Sequence, residues 1–163
     1  MKIQAKTEML LFRYNNYKKT AFIDEHRAVM KENGYVWMLK VGKRSSLEKL
    51  QEIKEKGGWM ALRSPKADGS KTYFARFTEV SEETPSDMTF PEYYDEILTE
   101  NQVFTEGYAP VTHQWFKIEF MSEAENEAAE QLVLSKTLKP VDEVITTTRT
   151  AVMFIHNVKA LSL

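Results

Sequence analysis

The chain contains no cysteine. That excludes a disulfide framework, a thiolate metal site and a cysteine nucleophile. Glycine is scarce, six in all, and the six do not group into a phosphate cradle. Neither G-x-x-x-x-G-K-S/T nor G-x-G-x-x-G occurs. Histidine is limited to positions 26, 113 and 156, with no H-E-x-x-H, and no G-x-S-x-G elbow is present. The apolar stretch in MKIQAKTEMLLFRYNN is too short for a signal-peptide core, and no segment reaches the length of a membrane-spanning helix. The expectation is a cytoplasmic protein with no cofactor and no membrane partner. No spacing demands an enzyme, and the question of catalysis stays open.

What the chain does have is core material. Its 163 residues are 42% hydrophobic and 12% aromatic, which is globular composition. The simplest organisation is a single domain over 1–163, long enough to bury roughly 70% of its unfolded surface. Net charge is only -2, but its distribution is uneven. Lys40 to Arg76 holds ten basic and four acidic residues; Glu79 to Glu130 holds fourteen acidic and one basic. Such segregation points to two unlike faces, unless the charges are simply solvated surface.

EMLLFRY (8–14) reads as a first strand. Phe22, Ile23, His26, Val29 and Met30 recur at helical spacing, with Thr20 as N-cap and Asn33-Gly34 as a left-handed stop. YVWMLKVG (35–42) follows as a nearly all-apolar strand. SSLEKLQEIKEKGG is a second helix, with Ser45 and Glu48 spaced as a capping box and Leu47, Leu50 and Ile53 as its stripe. WMALRSP and KTYFARFTEV, joined by KADGS, form the best hairpin, because Asp68-Gly69 accepts the positive φ of a tight turn. Residues 81–111 read as an acidic excursion with turns at Pro85, Pro91 and Pro110 and a short helix around PEYYDEIL. THQWFKIEF (112–120) alternates, with Phe116, Ile118 and Phe120 on one face and Trp115, Lys117 and Glu119 opposite. A second capping box, Ser122 with Glu125, opens an acidic helix. QLVLSK reads as a short strand, LKPVDEV as a turn and TTTRTAVMFIHNV as a last strand. Helices and strands do not alternate regularly. The expected fold class is therefore α+β: a small mixed or antiparallel β-barrel with two early helices and short acidic helices later.

The candidate site is a binding surface. Lys40, Lys43, Arg44, Arg63 and Arg76 interleave with Trp37, Trp59 and Tyr73, a mixture that suits planar bases and phosphates. Trp115 falls on a polar strand face and needs a cover, either the acidic helices or a ligand. Arg63-Ser64-Pro65-Lys66 and Lys43-Arg44-Ser45-Ser46 each precede a turn or helix; together they would make an anion-binding rim if they share one end of the barrel. His26 lies on an apolar helix stripe and reads as a half-buried packing residue.

The order of elements resembles the PUA-like superfamily, which includes the EVE, YTH and ASCH groups. The stretches that carry the likeness are YVWMLKVGK (35–43), GWMALRSP (58–65), KTYFARFTEV (71–80), HQWFKIEF (113–120) and RTAVMFI (149–155). The resemblance implies a small β-barrel that holds nucleic acid or a modified base in an aromatic pocket, within RNA modification or phage defence systems. The leading expectation is thus a non-catalytic nucleic-acid or nucleotide-binding module with an aromatic pocket and a basic rim. One rival is a protein-interaction module acting through the acidic region 79–130, with Glu123, Glu125 and Glu127 docking a basic partner. Another is a metal-dependent hydrolase or nuclease using central carboxylates.

Overall fold

The computed structural model describes residues 1–103 and 112–163, so the expected turn at Pro110 lies outside them. The strands are β1 (Lys2–Ile3), β2 (Glu8–Arg13), β3 (Val36–Val41), β4 (Trp59–Arg63), β5 (Thr72–Ser81), β6 (His113–Glu123), β7 (Leu132–Leu134), β8 (Val152–Asn157) and β9 (Leu161–Ser162). The helices are α1 (Phe22–Asn33), α2 (Leu47–Glu55), α3 (Tyr94–Val103), α4 (Asn126–Glu130) and α5 (Val141–Ile145). A short 3-10 turn, Lys66–Asp68, joins β4 to β5. The fold is mixed α+β.

Seven strands form one sheet in the order β3-β6-β5-β4-β2-β8-β7, and β1 pairs with β9 in a separate two-stranded ribbon. Every contact in the large sheet is antiparallel except β2 with β4. The expected closed barrel is not formed: among the described residues the end strands β3 and β7 do not pair with each other. Closure requires every edge to find a partner. Here the β3 edge is covered by another segment instead. Trp37 donates its backbone N–H to Thr89 O at 2.9 Å, and Leu39 donates its own to the Tyr94 hydroxyl at 3.2 Å.

Both faces of the sheet are buried. One packs on α1 and α2 through Phe22, Ile23, Leu50 and Ile53, which meet Leu10, Met38, Met60, Phe77 and Phe116. The other packs Met9, Leu11, Trp59, Phe74 and Ile155 against α5 and the β1–β9 ribbon. A third cluster joins Trp37, Leu39 and Trp115 to Phe90 and Tyr94, over the end of β3 and β6. Two register shifts in the β5–β6 ladder flip the side-chain alternation. Phe116 and Ile118 stay in the first core as expected. Phe120 crosses to the second, where its ring meets Trp59 edge-on at 5.8 Å.

Helix ends depart from the expected caps in detail. α1 starts at Phe22, and the Phe22 N–H is received by Asn16 Oδ1 at 2.9 Å, not by Thr20. α2 is capped by Ser46, whose hydroxyl accepts from Lys49 N, so the Ser45–Glu48 box is not used. Ser122–Glu125 makes no box either, because α4 begins only at Asn126. Pro140 leads into a helix, α5, where a turn was expected. Gly34 does stop α1, at φ 83°. Gly58 is required for contact as well as for its φ of 70°: a β-carbon there would lie 2.1 Å from Phe77 O.

Candidate functional site

The one parallel contact in the sheet sets up the most distinctive surface. β2 and β4 run side by side and finish together, with Arg13 and Arg63 as register partners at their last residues. The carboxyl ends of parallel strands are a common place for ligands, because the loops that leave there diverge and open a crevice. Here the crevice is a cleft of about 510 Å³. Arg13, Arg63, Lys66 and Arg149 line it, together with Ser64 and Ser70. Among the described residues no Asp or Glu is part of the lining.

Each cation is held differently. Arg63 is buried; its Nη1 donates to Thr72 Oγ1 at 2.7 Å and its Nη2 pairs with the Asp142 carboxylate. Its Nε is buried without a hydrogen-bond partner. Arg13 Nη1 donates to Thr148 O at 2.7 Å, which ties down the 146–151 loop that carries Arg149. Arg149 and Lys66 are exposed and make no ion pair among the described residues. Ser64 fixes the turn beneath Lys66: its N–H donates to Lys71 O at 2.9 Å and its hydroxyl accepts from Lys71 N at 2.7 Å. Tyr14 sits behind this wall, and burial, with Tyr73 nearby, pushes its phenol well above the usual range.

The residues expected to form a single site separate into different places. Trp37, Trp59 and Trp115 are all buried, and they do not line one cavity. The Trp115 ring lies 5.2 Å from the tilted ring of Phe90 and meets Tyr94 edge-on at 5.9 Å, so the acidic segment is its cover. Trp59 lies in the opposite core. Trp37 borders a separate groove with Glu79, Glu83 and Asp87, opposite in charge to the cleft. Tyr73 is buried with the Arg27 guanidinium 5.3 Å over its ring. Arg76 Nε donates to Gly57 O at 2.8 Å.

The two expected rim loops stand at opposite ends of β5. Arg63 pairs across from Thr72, the first residue of that strand, whereas Arg44 binds Glu82, just beyond its last. Ten strand residues separate them, roughly 33 Å of extended chain. Lys40, Lys43 and Arg44 do not line the cleft that Arg63 and Ser64 line. Lys40 is buried and donates to Lys43 O and Ser45 Oγ; burial, and then the Lys43 charge, lower its pKa.

Sequence reasoning missed Arg13 and Arg149. Arg13 looked like the polar end of a first strand and Arg149 like the start of the last. The available signal was that each sits where a β-branched or apolar run meets a loop, a position that points side chains to a sheet end.

His26 is fully buried, not half-buried. Its Nδ1 meets Phe22 O at 2.7 Å, so Nδ1 carries the hydrogen and Nε2 accepts from the Tyr94 hydroxyl at 2.5 Å. Burial lowers its pKa to about 4. Among the described residues no group of three or more His, Cys, Asp or Glu side chains comes close enough together to hold a metal ion. Among the described residues no helix is long and apolar enough to cross a membrane. No family model, no curated protein and no solved structure matches the chain.

Proposed function

We propose that the chain is a non-catalytic nucleic-acid or nucleotide-binding module that takes phosphate in the cleft at the carboxyl ends of β2 and β4. The observation that carries this reading is the side-by-side register of Arg13 and Arg63, with Lys66 and Arg149 added by the flanking loops. Four cations line the opening and one carboxylate, Asp142, pairs with Arg63, which leaves a local excess of positive charge on a chain of net charge -2. Arginine forks suit phosphate oxygens. The PUA-like assignment and the cytoplasmic setting belong to the same proposal. The order of strand, helix, Trp-bearing strand, helix and hairpin supports that assignment.

The test is a fluorescence anisotropy titration of the full chain with labelled single-stranded RNA and DNA across salt. If the four cations meet phosphates, log affinity falls with log salt at a slope of about -2 to -3, on the scale of 0.7 per neutralised phosphate. Arg149→Ala reduces the slope and Lys43→Ala leaves it unchanged. A flat salt response, or no binding at about 50 mM salt, overturns the reading.

A further inference from the structure

Beside the basic cleft lies a second opening of different chemistry. It is a groove of about 250 Å³, whose walls include Phe12, Tyr17, Val41 and Tyr93. Tyr14 and Asn15 line both openings, so the two are continuous across that ridge. We infer that this groove is the base subsite of the ligand whose phosphate the cleft takes: one planar nucleobase stacks on the tyrosines, with its polar edge toward Asn15. This rests on the phosphate-binding reading and assigns the part of the ligand that reading leaves open.

Three observations carry it. The first is unfinished apolar surface. Phe12, Tyr17 and Tyr93 are only half-buried and gather in one place, and Val41 on the facing strand end is 42% exposed. Clustered aromatic surface left to water marks a contact site more often than a scattered residue does. The second is rigidity. The Tyr17 and Tyr93 rings lie within 15° of parallel at 5.8 Å, and the Tyr17 hydroxyl donates to Glu100 Oε1 at 2.8 Å. Paired backbone hydrogen bonds between Tyr17 and Thr20 hold the same loop. A stacking platform fixed before binding loses little entropy on binding. The third is Asn15. Its amide makes no hydrogen bond among the described residues, it is exposed, and it stands on the ridge between groove and cleft. A carboxamide offers both donors and an acceptor, the complement of a base edge. Cationic cleft, polar ridge and aromatic groove thus follow the order phosphate, sugar, base.

The test compares two single-stranded oligonucleotides of equal length and phosphate count, one with bases and one abasic, on the full chain. The intact strand binds about tenfold more tightly, the scale of one base on an aromatic ring. Tyr17→Ala or Asn15→Ala shrinks that ratio and leaves the salt slope as it was. Because Tyr17 also tethers α3, Val41→Glu is the second variant: it puts a carboxylate at an already exposed position and shrinks the same ratio without lowering the melting temperature. Equal binding of intact and abasic strands with a steep salt slope overturns the base subsite and leaves the phosphate cleft standing. Binding of neither strand overturns both. A phosphorylated peptide of matching charge that binds as tightly as the intact strand overturns the nucleobase in favour of a peptide.

Discussion

The two ends of β5 carry similar basic residues and do opposite things with them. At the Ser81 end, Lys40 and Arg44 are occupied by the protein itself. Lys40 donates into the 43–45 loop, and Arg44 donates to His113 O at 2.8 Å and to Glu82 O at 3.1 Å while pairing with the Glu82 carboxylate at 2.7 Å. Fully buried Gln114 closes that end, accepting from Ser45 N at 2.9 Å and donating to Ser45 O at 3.0 Å. At the Thr72 end, Arg13 and Arg63 are anchored, but Lys66 and Arg149 are not, and the four surround open space. The lesson is that a cation's role follows from the acceptors around it. Where carbonyls or a carboxylate are in reach, as for Arg44, Arg13 and Arg63, the protein ties it down; where they are absent, as for Lys66 and Arg149, it is left for a ligand.

The largest expected contrast is in stability. Trp115→Ala empties a fully buried site in the cover of the closed end and lowers unfolding free energy by about 3–5 kcal/mol. Arg149→Ala at the open end changes it by less than about 0.5 kcal/mol. Urea denaturation of both variants checks the pair; similar losses for the two would erase the distinction.

Acid should also attack the closed side first. His26 is neutral in the fold, with a pKa lowered from 6.5 to about 4 by burial, and it joins α1 to Tyr94 and so to β3. Above pH 6.5 neither state binds the proton and stability is complete. As pH falls below 6.5 the unfolded chain protonates first, so stability drops until about pH 4. The loss is on the order of 3 kcal/mol at 1.36 kcal/mol per pH unit. In His26→Gln the decline over that window is flatter, as read by melting temperature against pH. An unchanged profile would remove His26 as the acid-sensitive group.

Gln114→Ala comes next. It leaves the Ser45 N–H and carbonyl without partners in a half-buried loop, at a cost of about 1–3 kcal/mol. Amide exchange at Ser45 should rise, and exchange at Ser64 should not. A rise at both would mean that the two ends are mechanically coupled.

How much of this was legible in the chain follows from how local each feature is. The strands around Trp37, Trp59 and Phe74 and the stop at Gly34 come from neighbouring residues, and alternation or a single glycine announces them. The parallel contact of β2 with β4 joins residues about fifty positions apart, and no local pattern encodes it. Arg13 matters only through that contact. Trp115 was assigned the correct strand and face, but whether an indole on that face meets water depends on where Phe90 and Tyr94 return. The capping boxes failed for a smaller reason: Ser45 and Ser46 are adjacent, and burial of Leu50 and Ile53 decides which one starts the helix. Basic residues were the hardest to read, because sequence gives their charge and not the acceptors they meet.

The smallest effect tests the open end from within. Among the described residues Asp142 is the one carboxylate that reaches the cleft's buried arginine, and its side chain is 44% exposed while that of Arg63 is 10% exposed. A half-exposed ion pair contributes little to stability, at most about 1 kcal/mol. Yet the carboxylate faces the same guanidinium that an incoming phosphate would use, so the two compete. Asp142→Asn keeps an oxygen for Nη2 to bind and removes the competing charge. The full chain should then bind a single-stranded oligonucleotide about two- to fivefold more tightly, with a melting temperature nearly unchanged. Tightening occurs only if the cleft is charge-limited. Weaker binding in Asp142→Asn would mean that the carboxylate orients Arg63 for the ligand, and the open end would then resemble the closed one, with its arginine held in place by the protein.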